Sequence, residues 1–129
     1  MIIAIIIISI LALITLLWYL FPLIEVVGKS MFPTYKNGEI ILATRIYLKS
    51  KLKVGDVIVF KSPTDGKIVI KRISEIRGKH TWFFCEGDNT NYSYDSRHYG
   101  FIFHNTIICK IVRPRANKRI QSEGGSNDE

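Results

Sequence analysis

The stretch K-I-V-I-K-R-I, Lys67–Ile73, indicates the fold class, because its side chains alternate with the period of a β-strand. Successive side chains of a strand point to opposite faces of the sheet, so Lys71 shares one face with Val69 and Ile73. Arg72 lies on the other face. The pattern therefore predicts a strand that places one lysine between two β-branched apolar residues.

Further apolar runs of strand length surround this stretch, and turn sequences such as Asn37-Gly38 and Ser62–Gly66 separate them. The predicted strands are Glu39–Tyr47, Asp56–Lys61, Lys67–Ile76, His80–Glu86 and Phe101–Val112. Several short strands within about a hundred residues predict an all-β domain, folded as a small coiled sheet or partial barrel.

The segment before the strands carries no charged side chain until Glu25. At about 1.5 Å per residue it forms a helix of roughly 30 Å or a little more, which is enough to cross a bilayer. Trp18 and Tyr19 lie where an interfacial aromatic belt is expected. A cleavable signal peptide would need a basic start and a small-x-small cleavage site, which are lacking, and the rest of the chain is too short to bury so uniformly apolar a helix.

The sequence thus predicts three parts. They are a transmembrane anchor over 1–24, a β domain over 25–115 and a disordered polar tail over 116–129, which has too little apolar content to fold.

The formal net charge of +7 belongs entirely to the part after the predicted anchor. Such a charge attracts anionic lipid head groups or nucleic acid. The chain has no helix-turn-helix, zinc-finger or aromatic RNA-binding signature, so we expect membrane lipid rather than nucleic acid as the partner.

The cysteines and histidines show no metal-ligand spacing, and we expect no metal and no cofactor. Cys85 and Cys109 both lie in apolar strands and are interpreted as two buried thiols. If their strands are neighbours in an oxidising compartment, the sequence does not decide between two free thiols and a disulfide.

The stretch V-V-G-K-S-M-F-P-T, Val26–Thr34, places Ser30 in a turn bracketed by glycine and proline. A serine hydroxyl needs a base to become a nucleophile, and Lys71 is a candidate because burial lowers a lysine pKa. A useful base needs a pKa lowered by roughly three units, which costs about 4 kcal/mol. The alternatives are that Ser30 is a turn residue and that Lys71 extends its charge to water.

Four stretches carry a resemblance to a known family: G-K-S-M-F-P-T, V-G-D-V-I-V-F, I-V-I-K-R-I and E-G-D-N-T-N-Y-S-Y-D-S-R-H-Y-G-F. In this order, behind an apolar anchor, they resemble the type I signal peptidases, which are membrane-anchored Ser-Lys proteases. The resemblance implies a serine endopeptidase that removes signal peptides from exported preproteins after a small-x-small motif. It also implies an extracytoplasmic catalytic domain at the cell membrane, with signal peptides and the secretion machinery as partners.

By position, the resemblance implies that Ser30 is the nucleophile, that Lys71 is the general base and that Ser93 orients the lysine. The Ser30 N–H holds the oxyanion, and Gly28 stands where some members supply a second, hydroxyl donor. The remaining implied site residues are Met31 and Pro33, which shape the turn and the pocket, Gly87, Asp88 and Asn89, which form a turn beside the dyad, and the ion pair Asp95–Arg97.

The chain departs from the family at Ser74–His80, where bacterial members insert a cap subdomain and this chain makes a short turn. It resembles the endoplasmic-reticulum-type and archaeal enzymes in compactness, yet those have a histidine at the position of Lys71. Two other functions stay open. One is a self-cleaving Ser-Lys protein of the LexA type, and the other is a membrane-tethered β-module that binds lipid or protein without catalysis.

Overall fold

The computed structural model describes residues 1–117, and the tail predicted over 116–129 lies outside the described residues from residue 118 onward. Helix α1, Ile2–Leu20, has no buried side chain. Among the described residues it is the one helix long and apolar enough to cross a membrane. It ends just before Phe21 and Pro22, because a residue that precedes proline disfavours helical geometry.

The rest of the described chain is mainly one antiparallel sheet. Its strands are β1 Leu23–Glu25, β2 Ile40–Thr44, β3 Val57–Lys61, β4 Ile68–Arg77, β5 Trp82–Glu86, β6 Ile102–Phe103 and β7 Ile107–Ile111. The seven strands lie in the order β1-β2-β7-β3-β4-β5-β6, so the sheet is open, with β1 and β6 at its edges. This confirms the predicted fold class of a coiled β domain behind an apolar helix.

Three elements differ from the predicted runs. β1 begins inside the segment assigned to the anchor, because its backbone pairs with β2 in the register Leu23↔Leu42. The predicted strand Phe101–Val112 is two strands, divided by a 3₁₀ turn at His104–Thr106. A short helix, α2 Ser96–Tyr99, begins where the Asp95 side chain accepts a hydrogen bond from the backbone of the first turn.

The sheet buries apolar side chains in two clusters, and β4 contributes to both because its side chains alternate. Ile70 belongs to the first cluster, with Val57, Val59 and other residues, and Ile73 belongs to the second, with Ile58, Phe60 and others. The alternation of side chains between the two faces, which the sequence predicts for β4, is therefore observed. Lys71 lies between these two buried positions.

The two cysteines are free and buried, and they belong to different clusters. Cys85 lies on β5 and Cys109 on β7, with β3 and β4 between them in the sheet. The disulfide that the sequence left open is therefore absent from the described fold. Burial raises the pKa of both thiols.

Candidate active site

The turn that carries Ser30 is fixed to the core on one side and to a neighbouring loop on the other. Met31 and Tyr35 are fully buried in the first cluster. Gly28 has a φ of 91°, a left-handed conformation that glycine adopts without steric cost, and its N–H donates to Asn37 Oδ1 at 2.8 Å. Ser30 is therefore presented by a tightly held turn.

The segment Gly87–Asn89 supports this turn from behind. The Asn89 N–H donates to the Ser30 carbonyl at 2.8 Å, and the Asn89 side-chain amide donates to the Lys29 carbonyl at 3.0 Å. A Cβ on Gly87 would lie 2.6 Å from the backbone carbonyl oxygen of Ser30 and 2.2 Å from Ser93 Oγ. Only glycine fits where these segments meet.

Arg72 fixes the position of this segment, a role that no pattern in the sequence indicates. Its Nε and Nη2 donate to the two carboxylate oxygens of Asp88 at 2.9 and 2.8 Å, and its Nη1 donates to the Gly55 carbonyl at 2.8 Å. The Asp88 side chain is 2% exposed. The pairing of Arg72 with Glu86 in the sheet brings the guanidinium beside the segment that follows β5, and this register is not visible in a single sequence.

Lys71 lies in the middle of β4, opposite Ile58 of β3, and is only 4% exposed. Burial lowers the pKa of Lys71 from its usual value of 10.5, the Asp95 carboxylate opposes that shift, and the Arg97 guanidinium adds to it. Within residues 1–117 the Lys71 side chain forms no hydrogen bond and no ion pair. Its surroundings therefore favour the neutral amine.

Asp95 connects the remaining site residues. Its carboxylate accepts hydrogen bonds from Ser93 Oγ at 2.5 Å, from the Gly87 N–H at 2.8 Å and from the Arg97 side chain at 2.9 and 2.5 Å. Burial raises the pKa of Asp95, but these hydrogen bonds more than offset it and hold the pKa well below the usual range. Ser93 donates its proton here, and its oxygen keeps lone pairs that can accept from an amine.

Ser30 and Lys71 line the same cleft, which has a volume of about 150 Å³. The other lining residues are mainly apolar, and they are Ile24, Glu25, Val27, Val59, Ile68, Val69 and Ile70. Met31 and Pro33, expected to shape a small-residue pocket, do not border this cleft. Met31 lies in the core, and Pro33 lines a separate groove with Phe32.

The arrangement combines a serine hydroxyl, a buried amine and a narrow apolar cleft. A neutral amine can accept the hydroxyl proton, and a hydrogen bond to a developing oxyanion is stronger beside the mainly apolar walls of this cleft than in water. Within residues 1–117 no three His, Cys, Asp or Glu side chains are grouped as metal ligands. The chemistry available to these residues is acyl transfer by a serine.

Comparisons with known proteins identify a family of peptidases. The family described as "Signal peptidase, peptidase S26" matches residues 1–83. The mitochondrial ATP-independent inner membrane protease subunit 1a of Arabidopsis thaliana is 32% identical, over 73% of this chain and 70% of that protein. The mitochondrial inner membrane protease subunit 1 of Schizosaccharomyces pombe is 32% identical over 73% of each chain, and that of Mus musculus is 31% identical over 65% of this chain and 63% of the relative.

Proposed function

This chain belongs to the signal peptidase family, peptidase S26, and from that premise we propose that it cleaves signal peptides with Ser30 and Lys71 as a catalytic dyad. The family makes it a membrane-associated protease of the signal-peptide-processing type. The observation that carries the finer proposal is the shared cleft, which both the serine of the bracketed turn and a lysine that is 4% exposed line.

In the proposed reaction, Ser30 Oγ attacks the scissile carbonyl carbon while neutral Lys71 takes the hydroxyl proton. The Ser30 N–H stabilises the oxyanion of the tetrahedral intermediate. Lys71 then returns the proton to the leaving amine, and the C–N bond breaks to give an acyl-enzyme. A water molecule, deprotonated by the same lysine, attacks the ester and releases the signal peptide, and the proton returns to Ser30.

Gly28 offers no hydroxyl for a second oxyanion donor, so the Ser30 N–H carries this role in the proposal. Ser93 and Asp95 act as positioning residues. The Asp95 carboxylate, held by Arg97, fixes the hydroxyl of Ser93 at 2.5 Å, which leaves the serine oxygen free to accept from Lys71.

The substrate is proposed to bind as an extended strand along the cleft between the residues before Ser30 and the start of β4. Backbone hydrogen bonds would supply affinity, and the narrow apolar walls would select small side chains before the cut. The small volume of the cleft, about 150 Å³, and its mainly apolar lining support a preference for small side chains.

Residues 1–24 are proposed as the anchor, with the catalytic domain over 25–115 outside the cytoplasm, where preproteins emerge. The helical part ends at Leu20, and Ile24 already lines the cleft. The anchor would thus be joined directly to one wall of the site. Membrane lipid and signal peptides are the proposed partners, and the secretion machinery is a further one.

The test is processing of a model preprotein by the full chain in detergent, with the N-terminus of the product sequenced. We expect cleavage after a small-x-small motif in the wild type and none with Ser30→Ala. Ser74→Ala is the matched control, because this exposed serine only donates to the Phe84 carbonyl. Intact preprotein with cut enzyme would indicate a self-cleaving protein instead, and an inert wild type would favour the tethered binding module.

A further inference from the structure

The connection between β2 and β3 has an unusual surface. This segment, residues 45–54, is here called the basic loop. Its apolar side chains Ile46 and Leu48 are 58% and 66% exposed. Basic side chains precede and follow them in the loop, and all are exposed: Arg45, Lys49, Lys51 and Lys53.

The basic loop begins at the end of helix α1. The Arg45 N–H donates to the Leu20 carbonyl at 2.8 Å, and Arg45 Nε donates to the Tyr19 carbonyl at 2.8 Å. The guanidinium also lies 4.9 Å from the centre of the Tyr19 ring. A helix that spans a bilayer leaves the hydrocarbon at its last turn, so these contacts place the basic loop at the membrane surface.

The protein core holds the basic loop in one conformation. Leu52 is 2% exposed and packs in the second cluster, and the Tyr47 hydroxyl donates to the Ile107 carbonyl at 3.3 Å. With these two side chains turned inward, the remaining ones face outward. Beside them lies an apolar recess of about 310 Å³, which is lined by Phe21, Ile46, Leu48 and Val112 and bordered by Lys51 and Lys110.

The charges of the basic loop are not neutralised by the protein. Within residues 1–117, no carboxylate forms an ion pair with Lys49, Lys51 or Lys53. Asp56, the first acid after the loop, is buried, where it accepts from the Lys53 backbone N–H at 3.0 Å and pairs with Lys110 at 3.4 Å. The loop therefore presents exposed ammonium groups beside exposed apolar side chains, which suits a surface of phosphates over acyl chains.

We propose that the basic loop binds the anionic phospholipid surface of the bilayer that α1 crosses. The lysine ammonium groups pair with lipid phosphates, and Ile46 and Leu48 enter the boundary between head groups and acyl chains. Because the loop is fixed to both the helix end and the core, this contact sets the orientation of the β domain on the membrane. The inference rests on the proposed anchor and names the surface that contacts its lipid partner, and it does not depend on the catalytic dyad.

The test places a fluorescent reporter on the loop. Leu48→Cys, carrying a nitrobenzoxadiazole label, is made in the full chain, where the native cysteines are buried. The protein is reconstituted into liposomes of phosphatidylcholine, alone or with part of it replaced by phosphatidylglycerol, and quenching by lipids with nitroxide-labelled acyl chains is measured. We expect strong quenching in the anionic liposomes and weak quenching in pure phosphatidylcholine.

Charge removal separates lipid recognition from mere proximity. Replacing Lys49, Lys51 and Lys53 by Gln is expected to reduce the ratio of bound to free loop by roughly 100-fold, at about fivefold per lysine. The matched control changes Lys61, Lys67 and Lys79 to Gln, which removes the same charge elsewhere and leaves quenching unchanged. At about 1 M salt, charges are screened within roughly 3 Å. We expect this salt to reduce quenching in the reporter protein that keeps all three loop lysines, as their replacement by Gln does.

Two results would overturn the proposal. Equal quenching in both kinds of liposome would show that the loop does not recognise lipid charge, and absence of quenching in both would show that the loop is not at the membrane. The readout does not use proteolysis, so it gives the same answer in a Ser30→Ala background even if the proposed function is wrong.

Discussion

At the scale of single residues, Lys71 shows how position on a strand changes the chemistry of a side chain. The same ammonium that is harmless on an exposed strand end is here 4% exposed between two apolar clusters. Burial disfavours its charge, and the loss is only partly compensated by Asp95. The burial that suits Lys71 to act as a general base therefore lowers the stability of the folded state.

This cost predicts the effect of Lys71→Met. The pKa of Lys71 is lower in the folded state than its usual 10.5. At pH values between the folded pKa and 10.5, the unfolded state binds more protons than the folded state, so stability rises with pH. The penalty, about 1.4 kcal/mol per pKa unit, is complete below the folded pKa. We expect Lys71→Met to abolish cleavage and to raise the melting temperature at neutral pH, with a smaller gain as the pH approaches 10.5.

Thermal melts in detergent at several pH values measure this effect, and Lys61→Met, at an exposed position, is the control that should change little. A lower melting temperature for Lys71→Met at neutral pH would mean that the lysine stabilises the fold. The account of a desolvated amine would then fail.

At the scale of elements, the site depends on how closely three segments approach one another. The turn of Ser30, the segment Gly87–Asn89 and the strand carrying Arg72 meet through two backbone or amide hydrogen bonds and one bidentate ion pair. None of these contacts needs a catalytic group. Together they fix the carbonyls of Lys29 and Ser30, and the planar peptide group of the Lys29 carbonyl also contains the Ser30 N–H.

Gly87→Ala tests this packing directly. The added Cβ would approach the carbonyl oxygen of Ser30 to 2.6 Å and Ser93 Oγ to 2.2 Å. The carbonyl oxygen belongs to the backbone and cannot rotate away. We expect kcat/KM for preprotein cleavage to fall by about 100-fold, because a displacement near 1 Å costs that much in catalysis. Overpacking should also destabilise the fold by about 1–3 kcal/mol.

The control is Gly66→Ala, in the turn between β3 and β4. Gly66 has a φ of 71°, so alanine strains the backbone there, but its Cβ would meet only the flexible Lys61 side chain at 3.4 Å. This variant should lose stability and keep its catalytic rate once folded. Equal rates for the two variants would show that the close approach at Gly87 has no part in catalysis.

At the scale of the whole molecule, local sequence patterns predicted the elements that depend on side-chain alternation and on turn residues. The strand around Lys71, the open all-β sheet and the apolar helix follow from periodicity and length. The edge strand β1 and helix α2 were missed, because a three-residue strand needs its partner and a four-residue helix needs its cap. Arg72 was placed on the correct side of β4 but without its partner Asp88, since that pairing depends on sheet register.

The strand order also predicts the behaviour of the thiols. Cys85 and Cys109 are separated in the sheet by β3 and β4 and are buried, and burial raises the pKa of each. We expect a thiol reagent to label neither cysteine in the native chain and both after denaturation, with no effect of reductant on cleavage. Loss of activity on reduction, or no reactive thiol after denaturation without reductant, would contradict the strand order.

The most direct measurement is the rate of preprotein cleavage between about pH 6 and pH 10, for the wild type beside Arg97→Gln and the charge-conserving Arg97→Lys. Because the base must be neutral, we expect the rate to rise with pH through a limb below the usual lysine pKa of 10.5. Arg97→Gln should move that limb to higher pH, since the guanidinium lowers the pKa of Lys71 and pairs with Asp95, while Arg97→Lys should move it less. A rate independent of pH over this range, or a limb that Arg97→Gln moves to lower pH, would contradict the assignment of Lys71 as the general base.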